Sequence, residues 1–303
     1  MKNKFFEIMV EGTFDPDLIR IEEVQGALRR TPMSEAWKEG VWTTYTKKLG
    51  FKPWPNDKKP SRWHFVNALA NGKELVIQAD PSTSYFDCLG SRFPEFEERF
   101  GKSFVAVNLS VGISVVAKNR HGENCMLVCL RSEKNDYKRG GLTIGAAGAI
   151  SMKNKETPKD AALRELKEEA GIEAHEIKNL ECLGVAREVN LPDGGPEFFA
   201  FTDVSVEELH LRKHDEENET LFVPLKLLTD WVCNFSYAIC ECSIAGFLMV
   251  GQKFAGSLWR MPIEHMLRLR REFAQDEKTY HEFEAADKVR LAKAFRELKE
   301  RSK

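Results

Sequence analysis

An α+β fold, with mixed strands wrapped around helices, is what the sequence predicts, on three observations. Strand-like runs cluster after residue 104, a strongly capped amphipathic helix at 157–171 interrupts them, and helix-forming segments follow from 225. The 303 residues, 42% hydrophobic and 30% charged, suffice for two domains or for one large domain with appendages. Forty-five basic residues against 47 acidic ones leave a formal charge of −2, which gives no global attraction to nucleic acid or to an anionic membrane. Selectivity must come from a local site.

The apolar run at 5–10 predicts a strand, and the acidic stretch at 15–28 a helix. Trp37, Val41, Trp42 and Tyr45 recur at helical spacing, which predicts a helix over 34–49 with a buried stripe. Pro53, Pro55 and Pro60 break the chain into a loop, 62–70 and 73–78 read as a hairpin, and 93–100 as a short helix. FVAVNLSVGISVVAKNR and CMLVCLRS are two strands joined by a turn at 121–124, followed by a basic loop at 133–140. Further strands are expected around 182–189, 196–202 and 220–224, and helices at 225–232 and 239–254. The tail, 263–303, is highly charged, with Leu267, Leu269, Phe273, Phe283, Leu291, Phe295 and Leu298 interspersed; it reads as a solvated helical extension in preference to one packed on the body or on a second subunit. No repeat or low-complexity tract is present.

The seven cysteines are scattered and form no CxxC pair, which fits a reducing compartment, with Cys125 and Cys129 as apolar residues of a strand. Glu7 and Glu11 interrupt the apolar run that a signal peptide needs, and no run approaches a membrane span. The expectation is a cytoplasmic protein with no membrane or nucleic-acid partner, as monomer or homodimer.

The stretch GAISMKNKETPKDAALRELKEEAGI, residues 148–172, carries the chemistry. Thr157 caps a helix, Pro158 opens it, Asp160 complements its positive end, and Gly171 stops it. At about 100° per residue, Ala162, Leu163, Leu166 and Ala170 fall on one side and Glu165, Glu168 and Glu169 on the other. Exposed glutamates so placed repel by roughly 0.2–0.5 kcal/mol per pair. A hard divalent cation with a preference for oxygen ligands reverses that sign. Taken alone, the three glutamates read equally as a solvated acidic face beside Lys159 and Lys167.

The order of residues adds a specific signal. RELKEEAGI, residues 164–172, matches the REUXEEXGU core of the Nudix box, with Glu156 at the box's upstream glutamate, and the chain resembles the Nudix hydrolase superfamily. One departure is present: Ile150 stands where the box has its first glycine, and Gly148 lies two residues further back, so the loop to Glu156 is longer by two. The resemblance implies an α/β/α sandwich and attack of water on a diphosphate, with Mg²⁺, or Mn²⁺ in its place, as cofactor. It makes Glu165, Glu168 and Glu169 metal ligands, one of them acting on water, with Arg164 orienting them and Gly148 meeting substrate. A base from a later loop would be Glu216, Glu217 or Glu219, Glu217 being taken as the candidate. All three are equally explicable as acidic surface.

WTTYTKKLGFKPWPNDKKPSRWHF, DPSTSYFDCLGSR, GVAREVNLPDGGPEFFAF and ENETLFVPL resemble, in order, segments of the animal UDP-glucose/UDP-galactose diphosphatases of that superfamily. The resemblance implies an N-terminal α+β substrate-recognition domain at 1–103 and a hydrolase domain at 104–262, and it does not cover the charged helical tail at 263–303. It would make UDP-glucose yield UMP and glucose 1-phosphate. Tyr85, Phe86, Trp42 or Trp63 would stack on uracil, Tyr85 being preferred and Trp42 and Phe86 reading rather as core, with Asp87 as a polar contact. Arg131 and Arg187 are the phosphate candidates, because a guanidinium grips phosphate bidentately. The alternatives are a pyrophosphatase acting on ADP-ribose or a dinucleotide, and a non-catalytic nucleotide-sensing module.

Overall fold

The computed structural model describes residues 5–48, 57–132, 139–152, 155–188, 193–212, 218–274 and 276–301. In chain order the strands are β1 (Phe6–Phe14), β2 (Ile19–Glu23), β3 (Arg62–Asn71), β4 (Glu74–Thr83), β5 (Asn108–Lys118), β6 (Asn124–Arg131), β7 (Leu142–Ile144), β8 (Ala146–Ala149), β9 (Ile177–Glu188), β10 (Asp193–Thr202) and β11 (Asn218–Pro224). The helices are α1 (Pro32–Thr43), α2 (Tyr85–Ser91), α3 (Pro94–Phe100), α4 (Pro158–Ala170), α5 (Val206–Leu209), α6 (Leu225–Phe235), α7 (Glu241–Ala255), α8 (Ser257–Phe273) and α9 (Glu277–Arg301).

These strands join in one mixed sheet of order β1-β9-β10-β5-β3-β4-β2, with β6 on β5 carrying β11 and β7, and β8 also on β5. Two apolar clusters form along it, as a sheet covered on both faces requires. In one, Ala161, Ala162, Leu166 and Ala170 of α4 pack with Val111, Ile113 and Phe198. In the other, Phe247 and Leu248 of α7 pack with Ala186 and Phe199. Helices therefore sandwich the strands, the α/β/α arrangement that the Nudix resemblance implies. The first 103 residues share the sheet: β1 runs antiparallel along β9, and β3 meets β5 at His64↔Asn108.

Two expectations are corrected and one helix is added. The acidic stretch at 15–28 is no helix: a short 3₁₀ turn, Pro16–Leu18, leads into β2, which pairs in parallel with β4. Buried Ile19 and half-buried Ile21 alternate there with exposed Arg20 and Glu22, a period of two that tertiary pairing rewards over helix propensity. The segment before 93 gains α2, whose Ser84 cap accepts from the Asp87 amide while the Asp87 carboxylate accepts from the Ser84 amide. The tail is not solvated: Ile263, Leu267, Leu291 and Phe295 are in the core, and buried Asp287 pairs with Arg270 of α8 at 2.5 Å and with Arg290. Phe273 and Phe283, also within that tail, do face outward. The predicted helix end at Leu49, the prolines 53 and 55 and most of the basic loop lie outside the described residues.

The helix at 34–49 forms as α1, which passes into a π-helical turn at Thr44–Lys48. Its buried stripe includes Trp42 and, unexpectedly, Lys38, whose ammonium is wholly enclosed and donates to Asp87 at 2.7 Å and Glu35 at 2.8 Å. A charge is tolerated there because both carboxylates compensate its lost hydration. No helix among the described residues is long and apolar enough to cross a membrane, and no disulfide links the cysteines.

Candidate active site

The glutamate helix has the predicted ends. Thr157 Oγ1 accepts from the Asp160 amide at 3.1 Å, Asp160 Oδ2 accepts from Thr157 Oγ1 at 2.7 Å, and Gly171 adopts the left-handed conformation at φ 63°. Ala161 joins Ala162, Leu166 and Ala170 on the buried side, whereas Leu163 is only half-buried. Anchoring that side against β5 and β10 turns the remaining face of α4 toward β8.

Arg164 organises that face. Its Nε donates to Glu156 Oε1 at 2.7 Å, its Nη1 to Glu165 Oε1 at 2.6 Å and Glu168 Oε2 at 3.0 Å, and its Nη2 to the carbonyl of Ala149 at 3.0 Å. Glu156 closes the lengthened loop by also accepting from the Ser151 amide at 2.8 Å. Burial pushes the Glu156 carboxyl up, but the donors from Arg164 and Ser151 outweigh it and hold the group below the ordinary range.

The other carboxyls shift the opposite way. Burial pushes Glu165 up, Arg164 pulls against it, and Glu168 and Glu156 add to the rise. Burial, and then the charge of Glu165, push Glu169 up to about 7, although Glu169 Oε2 accepts from the Ala147 amide at 3.1 Å. Glu168 is the exposed member of the set.

Gly148 gives room to a glutamate of the helix. It sits on β8 opposite Val111, and a Cβ built there would fall 1.9 Å from Glu165 Oε1. Its missing side chain is the clearance that lets the Glu165 carboxylate reach the strand. Ile150, in the box's usual glycine position, is buried, and its amide donates to Leu109 at 3.2 Å. The glycine is therefore needed where the carboxylate approaches, two residues earlier. Gly148→Ala is expected to cut turnover at least tenfold while far-UV circular dichroism stays native, because the displaced group is the Glu165 carboxylate rather than a core side chain.

The donor set fits a hard divalent cation in chemistry. Glu165, Glu168 and Glu169 offer only oxygen, and burial and mutual repulsion raise the first and last, the situation that a bound cation relieves. Among the described residues, however, no three His, Cys, Asp or Glu side chains are grouped to hold an ion. Glu165 and Glu168 accept from Arg164, and Glu169 accepts from the Ala147 amide. A bound cation would supply charge neutralisation of the diphosphate and a polarised water.

The remaining expected residues divide. Arg131 ends β6, and its positive charge acts on Glu169, which places it beside the box. Arg187, on β9, is half-buried and acts on His64 instead. Asp87 is committed to the interior: it bonds Lys38 at 2.7 Å, Arg30 at 3.1 Å and Ser84 Oγ at 2.8 Å, so it has no free face for a uracil. Tyr85 is half-buried at the start of α2, against Trp42 and with the Arg62 guanidinium 5.0 Å from its ring. Trp42 and Phe86 are core, as read, and Trp63 packs on the sheet's first cluster. Glu216 and Glu217 lie outside the described residues, while Glu219 is exposed on β11 and pairs with Lys299 at 2.9 Å.

Sequence reasoning missed a polar corner where β3, β5 and β10 meet. Asn108 Oδ1 accepts from Arg62 at 3.2 Å, its Nδ2 donates to Asp193 at 3.2 Å, and Glu188 accepts from the Cys242 amide at 3.1 Å. Glu197 is buried between Gly112 and Gly246, either of which would clash with it through a Cβ, and burial with Glu188 and Asp193 pushes its carboxyl far above the usual range. A signal existed: Asn108, Ser110 and Ser114 alternate through an otherwise apolar strand, and Glu197 interrupts PEFFAF. A separate apolar hollow of about 360 Å³ between α6, α7 and the start of α8 contains none of these residues.

The mixed sheet sandwiched by helices thus carries a capped glutamate helix clamped by its own arginine against a glycine of the sheet. Residues 108–236 match the family model described as NUDIX domain, and this part of the chain is a Nudix domain. Solved structures similar to it include the NUDIX domain of Shewanella oneidensis NrtR complexed with ADP ribose, at 13% identity and a TM-score of 0.40, covering 53% of this chain and 97% of that one. A NUDIX hydrolase from Alicyclobacillus acidocaldarius matches at 14% identity and 0.36, covering 50% and 96%. A MutT/nudix family protein from Enterococcus faecalis matches at 16% and 0.35, covering 63% and 89%. The comparison with curated proteins gave no match.

Proposed function

We propose that the protein hydrolyses a nucleoside diphosphate linked to a second moiety, with UDP-glucose and UDP-galactose as substrates and Mg²⁺ as the ion. The observation that carries the reading is the clamp in which Arg164 holds Glu156, Glu165 and Glu168 together at the edge of β8. A pure binder has no use for close carboxylates whose ionisation is resisted by burial. Glu165, Glu168 and Glu169 hold the cation, Arg164 orients them, and Arg131 and Arg187 take phosphate oxygens.

Water oxygen attacks one phosphorus, the bridging P–O bond breaks, and the proton released by water passes to a carboxylate. The products are UMP and a sugar 1-phosphate. The uridine part rests on the N-terminal resemblance and on the half-buried ring of Tyr85. The test is a panel of nucleotide conjugates incubated with protein and Mg²⁺. Selective release of UMP from UDP-sugars is the expected result. Equal or faster cleavage of ADP-ribose removes the UDP-sugar assignment, and absence of cleavage across the panel removes the hydrolase reading in favour of a sensing module.

A further inference from the structure

Arg62 is a half-buried arginine on β3, in the first third of the chain. Its guanidinium makes one hydrogen bond, from Nη1 to Asn108 Oδ1 at 3.2 Å, and lies over the ring of Tyr85 with Cζ 5.0 Å from the centroid. Among the described residues no carboxylate lies within ion-pairing distance of it. Lys38, Arg30, Arg164, Arg212, Arg260 and Arg270, by contrast, each have a carboxylate partner. A guanidinium carries N–H donors in a planar fork, and a partly desolvated one with most of them unused is suited to an anionic acceptor.

The surroundings hold this guanidinium in place, and the charge of Asp193 acts on it only across an intervening amide. Asn108 is fixed between two partners, its oxygen toward Arg62 and its nitrogen toward Asp193 Oδ1 at 3.2 Å. Asp193 itself accepts from the Gly194 amide at 3.0 Å. The amide thus stands between cation and carboxylate and keeps them from closing into an ion pair. Arg187, whose side chain has no ion-pair partner among the described residues, meets the same corner from β9, where it pairs with Gly194.

The corner is close to the glutamate clamp. Asn108 is two residues along β5 from Ser110, which pairs with Ala149, whose carbonyl takes the Arg164 donor. Two residues of strand are roughly 7 Å, and a nucleoside diphosphate conjugate is longer than that.

We propose that Arg62 is a substrate-binding residue: its guanidinium, stacked on Tyr85 and steered by Asn108, takes an anionic oxygen of the nucleoside diphosphate conjugate. The N-terminal segment thereby contributes directly to the site of the Nudix domain. This rests on the reading of that site as one for nucleoside diphosphate conjugates. Tyr85 then acts as the platform under the arginine, and Asn108 is a positioning residue.

The test measures both turnover and direct binding of UDP-glucose and ADP-ribose, binding being followed calorimetrically with Ca²⁺ in place of Mg²⁺. Arg62→Ala is expected to raise KM and Kd for the preferred conjugate about 10- to 100-fold, the loss expected for a charged hydrogen bond, with kcat within about threefold of wild type. Arg62→Lys, which keeps the charge but not the fork, recovers part of the loss, and Asn108→Ala shows a smaller rise. Unchanged KM and Kd in a natively folded Arg62→Ala overturn the proposal, since a merely structural arginine would move only the melting temperature. Should that variant not fold, Arg62→Gln, which retains a donor toward Asn108, is judged by the same criterion. Wild-type protein that binds but cleaves nothing defeats the hydrolase reading alone, leaving Arg62 to be decided by Kd. Wild-type protein that neither binds nor cleaves defeats both.

Discussion

Glu168→Gln and Glu169→Gln are each expected to lower kcat/KM on a nucleoside diphosphate conjugate by more than about 100-fold, beyond the 10- to 100-fold typical of losing a mere supporting group at a metal site. Both amides are isosteric with the carboxylates, so the fold survives and the loss is chemical. The two variants differ in stability. In the folded protein the Glu169 carboxyl is raised to about 7 by burial and by Glu165. Between its unfolded value and about 7 the unfolded chain therefore releases a proton that the folded chain retains, and wild-type stability falls as pH rises through that window. Glu169→Gln removes this penalty, so in chelator at pH 8 it should melt above wild type. Adding a divalent cation should raise the wild-type melting temperature and close the gap. Glu168 is exposed and gives no such gain. Retained turnover in both variants would place the metal site elsewhere, and a Glu169→Gln variant that melts below wild type in chelator would show that its charge is compensated.

Asp287→Ala is expected to destabilise the protein by about 3 kcal/mol or more, read as a shift in urea midpoint at unchanged slope. Asp287 is 1% exposed and receives Arg270 at 2.5 Å, Arg290, and the amide of Tyr237 at 3.2 Å. Removing it strands the Arg270 guanidinium, which is held against the Tyr237 ring with Cζ 4.7 Å from the centroid. The effect is large because one carboxylate ties α9 to α8 and to the turn before α7, over a layer that includes Leu267, Leu291 and Phe295. Lys278→Ala, which breaks only an exposed pair with Glu282, is the control and should leave the midpoint unmoved. A small effect at Asp287 would return the tail to a solvated extension.

The tail shows why part of the fold was not legible. Its composition is that of a solvated helix, and its buried apolar residues are thinly spread among charges. What covers them is α6 and α7, and no local pattern announces which distant face a helix will meet. The stretch at 15–28 erred for a related reason: its acidic residues look helical, but Ile19 and Ile21 pair with Leu75 and Ile77 across the sheet. Strand pairing is a long-range reward that propensity does not contain.

The site divides along the same line. The helix at 157–171 was legible to the residue because capping and 3.6-residue periodicity are local, and Arg164 reaches Glu165 and Glu168 for that reason. Tertiary structure decided the rest. Gly148 is glycine because a carboxylate from α4 arrives against it. Asp87 is withdrawn from any ligand because Lys38 and Arg30 converge on it. Arg62 stays without an ion pair because Asn108 comes between it and Asp193. Periodicity and caps act over a few residues and can be read in one dimension, whereas clearance, charge pairing and desolvation depend on which segments the sheet brings side by side.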